Sequence, residues 1–126
     1  MCVDKIAYFN PTNNGDFTYS YSVDENELIN ARFDFGLFKV NTQNTADYSL
    51  ELVVKENNSD GDLVFENTYS LGNTKFINVV DNRGNADLYV NANGVRAISK
   101  HTYYATLTLK YQGAVRDTAN SYYEVV

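Results

Sequence analysis

Apolar and polar residues alternate with a period of two through most of this chain. In "HTYYATLTLKYQG" (101–113), Tyr103, Ala105, Leu107, Leu109 and Tyr111 share one parity, and Tyr104, Thr106, Thr108 and Lys110 take the other. A period of two is a strand with one face on a core and one in water. The same pattern puts Phe17, Tyr19, Tyr21 and Val23 on one face of "FTYSYSV", and Tyr48, Leu50, Leu52 and Val54 on one face of "YSLELVVK". It also groups Ala86, Leu88, Val90 and Ala92 in "ADLYVNA". In "LINARFDFGLFKV" the apolar set runs Ile29, Ala31, Phe33, Phe35 and then shifts beyond Gly36 to Phe38 and Val40, which predicts a β-bulge at the glycine.

Turn-forming residues separate these runs. "DKIAYF" (4–9) predicts a first strand ended by the turn cluster "NPTNNG" (10–15), and "DNRGN" (81–85) and Asn93-Gly94 predict further turns. "LVFENTYSL", "FINVV" and the closing "GAVRDTANSYYEVV" complete about nine strands, with no segment of helical period and no repeat. The spacing predicts an all-β fold, a two-sheet antiparallel β-sandwich formed by residues 1–126 as a single domain. A barrel of eight to ten strands is the alternative.

Composition agrees. A chain of 126 residues is long enough to bury a core without disulfide or metal staples. Its 11 tyrosines and many asparagines suit half-buried strands joined by turns. The net charge of −6 is uneven: residues 1–63 carry 4 basic and 11 acidic side chains, residues 64–126 carry 6 and 5. With no cluster of Lys or Arg, binding to nucleic acid or to anionic membranes is not expected; the acidic N-terminal half suits a basic protein patch. No apolar run approaches the length of a membrane helix, and "MCVDKIAYFN" lacks the order of a secretory signal. Cys2, the single cysteine, excludes an intrachain disulfide; as a lipid-modified N-terminal cysteine it would instead place the protein at a cell surface.

The run "ADLYVNANGVRAISKHTYYATLTLKYQGAVRDTANSYYEVV" resembles the last three strands of an immunoglobulin-like or fibronectin-like domain. In such domains a tyrosine before the penultimate strand bonds back to the preceding loop, a place that Tyr103 or Tyr104 would fill. The Cys…Trp…Cys core of antibody domains is absent, so an antibody-like role is not implied. Sandwiches with this ending occur in bacterial adhesins and in head, tail and baseplate proteins of bacteriophages. The resemblance therefore implies an immunoglobulin-like sandwich and a binding or assembly role.

Candidate chemistry is sparse. His101, the single histidine, has no nucleophile elbow or motif beside it, and a loop or corner role is expected. "ENNSDGD" (56–62) begins like a calcium loop, but Asn67 stands where the bidentate glutamate belongs and the flanks read as strands. A looser calcium site from Asp60, Asp62 and a neighbouring Asp81 or Asp87 stays open beside the plainer reading, a solvated hairpin tip. No glycine-rich phosphate loop exists, and no cofactor is expected. Tyrosine is the remaining signal. Tyr103/Tyr104 and Tyr122/Tyr123 are adjacent pairs, so one ring of each must face outward. Tyr104 and Tyr122 are the candidate interface residues, with cross-strand packing as the competing account. The expected function is a non-enzymatic assembly module of a virion, such as a capsid decoration or tail component, oligomeric or joined to other protein subunits. The alternative is a surface-displayed or lipid-anchored module for glycans or cell-surface ligands.

Overall fold

The computed structural model describes residues 3–23, 27–98 and 100–126. Two five-stranded sheets pack face to face as a β-sandwich. In chain order the strands are β1 (Lys5–Asn13), β2 (Asp16–Phe17), β3 (Ser20–Tyr21), β4 (Leu28–Asn41), β5 (Tyr48–Glu56), β6 (Leu63–Ser70), β7 (Ile77–Val80), β8 (Arg83–Arg96), β9 (Thr102–Tyr111) and β10 (Ala114–Val125). One sheet has the order β2-β1-β4-β8-β7 and the other β3-β10-β9-β5-β6. A single 3-10 turn, Thr45–Asp47, is the one helical element among the described residues. The pairings are antiparallel except β3 with β10, which is parallel.

The alternating pattern places the core. Leu107 and Leu109 on β9 are fully buried against Leu50, Leu52 and Val54 of β5, while Phe33, Phe35 and Leu37 of β4 line the facing sheet. Thr106 and Thr108 lie on the opposite, outward side, as the alternation predicts.

Several expectations need correction. "FTYSYSV" is not one strand. Its first part, β2, pairs with β1, and its second, β3, pairs with β10, so the chain crosses between sheets at Thr18-Tyr19. Phe17 and Tyr19 are therefore exposed, Tyr21 is buried and Val23 partly so. This division also raises the strand count among the described residues to ten. The first strand runs past its expected end, through Pro11 to Asn13. Pro11 fits because its carbonyl accepts from the Thr18 N–H on the side away from β4, so its missing N–H falls on the same outer side. The turn itself is Asn14-Gly15, both at positive φ, as a two-residue hairpin of this twist requires.

The bulge in β4 is not at Gly36. Leu37 continues the buried set, and the extra residue falls at Phe38-Lys39, where Lys39 has φ 54°. Gly36 answers another need: the Tyr8 ring crosses it, and a Cβ there would sit 2.4 Å from Tyr8 Cε1. Finally, Asn93-Gly94 is not a turn but a bulge inside the 14-residue β8, and Asn30 Oδ1 accepts from the Gly94 N–H at 2.8 Å. The turn before β8 shrinks to Asp81-Asn82, with φ of 52° and 61°.

One end of the sandwich is closed by a buried carboxylate. Asp4 Oδ1 accepts from Arg83 Nη1 at 2.8 Å and from the Tyr48 hydroxyl, and Asp4 Oδ2 lies 3.7 Å from Arg116 Nε. Arg83 belongs to one sheet and Tyr48 and Arg116 to the other, so Asp4 ties the two sheets together.

Candidate functional site

The antiparallel register of β9 and β10 sets Tyr123 opposite Tyr103 and Tyr122 opposite Tyr104. Successive residues of a strand point to opposite faces, so the two tyrosine pairs separate by face. Tyr103 and Tyr123 turn inward and stack at 5.3 Å between centroids; Tyr123 also meets Tyr21 edge-on at 5.3 Å and Phe33 at 5.9 Å. The Tyr103 hydroxyl accepts from the Ile98 N–H at 2.8 Å, five residues upstream. Of the two tyrosines that could bond back to the preceding loop, it is the inward one that does so.

Tyr104 and Tyr122 turn outward and meet at 5.0 Å, tilted by 56°. The two candidates named from sequence are thus neighbours on the outer face of one sheet. The crossing between sheets brings two more rings to the same corner. Exposure reaches 72% for Phe17, 85% for Tyr19 and 55% for Tyr122. Tyr19 and Tyr122 together line two depressions, of about 290 and 180 Å³, the larger of which also takes in Phe17, Asn10 and Pro11. The crossing is held by local bonds: the Thr18 N–H donates to Pro11 O at 3.0 Å, the Thr18 hydroxyl to Ser20 O at 2.9 Å, and the Glu124 N–H to Tyr19 O at 2.9 Å.

Sequence alternation missed Phe17 and Tyr19 by assigning both to a core face. Nothing within "FTYSYSV" marks the crossing. The signal lies outside it, in the two-residue Asn14-Gly15 turn that forces β2 onto β1 while Tyr21 is needed elsewhere, with Tyr123.

The remaining candidates stay apart from this corner. Asp60 and Asp62 lie in or beside the β5–β6 loop, where Asn58 Oδ1 accepts from the Asp60 N–H at 2.8 Å. Asp81 sits in the β7–β8 turn of the other sheet, and Asp87 Oδ1 accepts from the Tyr8 hydroxyl at 2.7 Å. Among the described residues no group of three or more His, Cys, Asp or Glu is arranged to hold a metal. These carboxylates are divided between the loops and strands of two sheets. His101 Nδ1 is hydrogen-bonded to Glu56 Oε1 where β5 ends and β9 begins. Cys2, Asp24 and Glu25 lie outside the described residues. Among the described residues no helix is long and apolar enough to cross a membrane.

No family model matches this chain, and no curated protein does. Among solved structures, a Bacteroides fragilis protein assigned as a beta-galactosidase is similar over 81% of this chain, with 12% identity and a TM-score of 0.45. The match spans 15% of that chain's length. A likeness at that level carries no argument about activity.

Proposed function

We propose that this protein is a non-catalytic assembly module that joins another protein subunit through the aromatic corner, with a second copy as the first partner to test and a virion component as its setting. The observation that carries this reading is the gathering of Phe17, Tyr19 and Tyr122 at the place where the chain passes between sheets, each more than half exposed. Large exposed rings have few torsions to freeze and much area to bury, which is why protein interfaces concentrate them. Tyr104 packs beside Tyr122 on the same outer face, with ring centroids 5.0 Å apart. Asp16 adjoins Phe17, and Glu124 lines the smaller depression, so a partner bearing Lys or Arg at its rim would be complementary.

The test is sedimentation of the purified protein over a range of concentrations, alone and with candidate virion subunits, for the natural chain and for Tyr19→Ala and Tyr122→Ala. Loss of a central interface tyrosine costs about 2 kcal/mol, roughly a 30-fold weaker association, with little change in folding stability. A protein that stays monomeric, binds no subunit offered and ignores both substitutions would overturn the reading.

A further inference from the structure

The outer face of the β5–β9–β10 sheet carries a second feature, next to the aromatic corner. Reading across the strands, one row is Tyr122, Tyr104 and Lys55, the next is Asn120, Thr106 and Val53, and the next is Thr118, Thr108 and Glu51. Between the first and third rows lies an open cleft of about 350 Å³. Its volume is within the range of small-ligand sites, about 300–1,000 Å³.

Its lining combines a few apolar residues with a larger number of polar ones. Tyr104 and Val53 provide apolar surface, and Thr106, Thr118, Asn120 and Lys55 provide polar atoms; no lining residue is acidic. Much of the hydrogen-bonding capacity is unspent. The Thr106 hydroxyl donates to Asn120 Oδ1 at 3.1 Å, which leaves the Asn120 amide hydrogens for a ligand. Lys55 Nζ donates to Ser59 O at 3.0 Å and keeps two further hydrogens. The Thr118 side chain has no hydrogen-bond partner among the described residues.

A ring beside neutral hydroxyl and amide groups does not match the common partners. A nucleic acid needs several cations, and this cleft has one. An apolar ligand would leave the threonine and asparagine groups unpaired. A pyranose fits both halves: its C–H face packs on an aromatic ring while its rim of hydroxyls both donates and accepts. We infer that this cleft binds one pyranose unit of a neutral oligosaccharide, with Tyr104 as the stacking ring and Thr118, Asn120 and Lys55 as hydrogen-bonding groups. This site adjoins the aromatic corner through the Tyr104–Tyr122 contact, but its polar groups, Thr106, Thr118, Asn120 and Lys55, line neither depression of that corner.

The experiment is an amide NMR titration of the whole protein with maltohexaose, cellohexaose, xylohexaose and chitohexaose, each taken to about 10 mM, where weak single-site binding is still visible. At least one should shift the amides of Val53, Lys55, Thr106, Thr118 and Asn120. Asn120→Ala and Thr106→Val lie on the solvent side and leave the fold intact; each should weaken binding about tenfold, as expected when one hydrogen-bonding group is lost. Tyr104→Ala should abolish it, and Tyr19→Ala, which tests the assembly corner, should leave it unchanged. No shifts with any of the four sugars, shifts confined to other surfaces, or full binding by the Asn120 and Thr106 variants would overturn the inference.

Discussion

Tyr123 shows how far one residue's environment departs from its type. Its ring packs among Tyr103, Tyr21 and Phe33, and its hydroxyl is buried without a hydrogen-bond partner. Burial pushes its phenol well above the ordinary tyrosine range, and the neighbouring Tyr103 and Tyr21 phenols add to this. A buried hydroxyl without a partner costs about 1–3 kcal/mol in lost hydration, so Tyr123→Phe should leave stability unchanged or raise it. Chemical denaturation checks this; a loss of more than about 1 kcal/mol would show that the hydroxyl is satisfied in solution. Tyr48 and Tyr8 make a second prediction. Burial, joined by the carboxylate of Asp4, pushes the Tyr48 phenol up to about 12 from 10, and partial burial with the Asp87 hydrogen bond does the same for Tyr8. Above pH 10 the unfolded phenols ionise while the folded ones stay protonated, so the unfolded state gains and stability falls between pH 10 and about 12. Below pH 10 these two groups contribute no pH dependence. Denaturation midpoints measured through this window should decline, and a flat profile would refute the assignment.

At the scale of the element, β9 is the strand whose register the alternation specifies most strongly. Leu107 is fully buried and Thr108, one residue on, faces out. Leu107→Ala should cost about 2–5 kcal/mol, the usual range for a leucine that leaves a cavity. Thr108→Ala should stay within about 0.5 kcal/mol. A one-residue slip would reverse the two results, because it exchanges the faces of the whole strand. The bulges in β4 and β8 are the elements the alternation misread. In β4 the shift of phase was legible, but its position was not, because a glycine marks a bulge only when no neighbour needs the missing Cβ. Here Tyr8 does.

At the scale of the whole molecule, Asp4 decides how the sheets close. It is nearly inaccessible, yet it meets Arg83 from one sheet and Tyr48 and Arg116 from the other. Asp4→Asn keeps the size and the tolerance of positive φ but removes the charge, and should cost about 3 kcal/mol, as for a broken buried pair. Arg116, at 3.7 Å with its side chain 45% exposed, is a different case: Arg116→Ala should cost less than about 1 kcal/mol. Equal effects from the two substitutions would mean that Arg116, not Arg83, is the main partner. Thermal unfolding of both variants separates these outcomes.

The sequence by itself determined most of the strands, which residues of most of them face the core, and the outward placement of Tyr104 and Tyr122. All of this follows from a period of two and from turn residues, which are local properties. The tertiary structure decided the rest. It sent "FTYSYSV" across two sheets, exposing Phe17 and Tyr19, because the partners of those residues are strands distant in sequence. It brought Thr106, Thr118 and Asn120 to one cleft, since only the pairing of β9 with β10 fixes which outward residues adjoin. It also buried Asp4, a charge at the start of the chain that no local pattern marks, because its partners lie 44, 79 and 112 positions further along at Tyr48, Arg83 and Arg116. Alternation records which face a side chain takes; only the pairing of distant strands determines what it meets there.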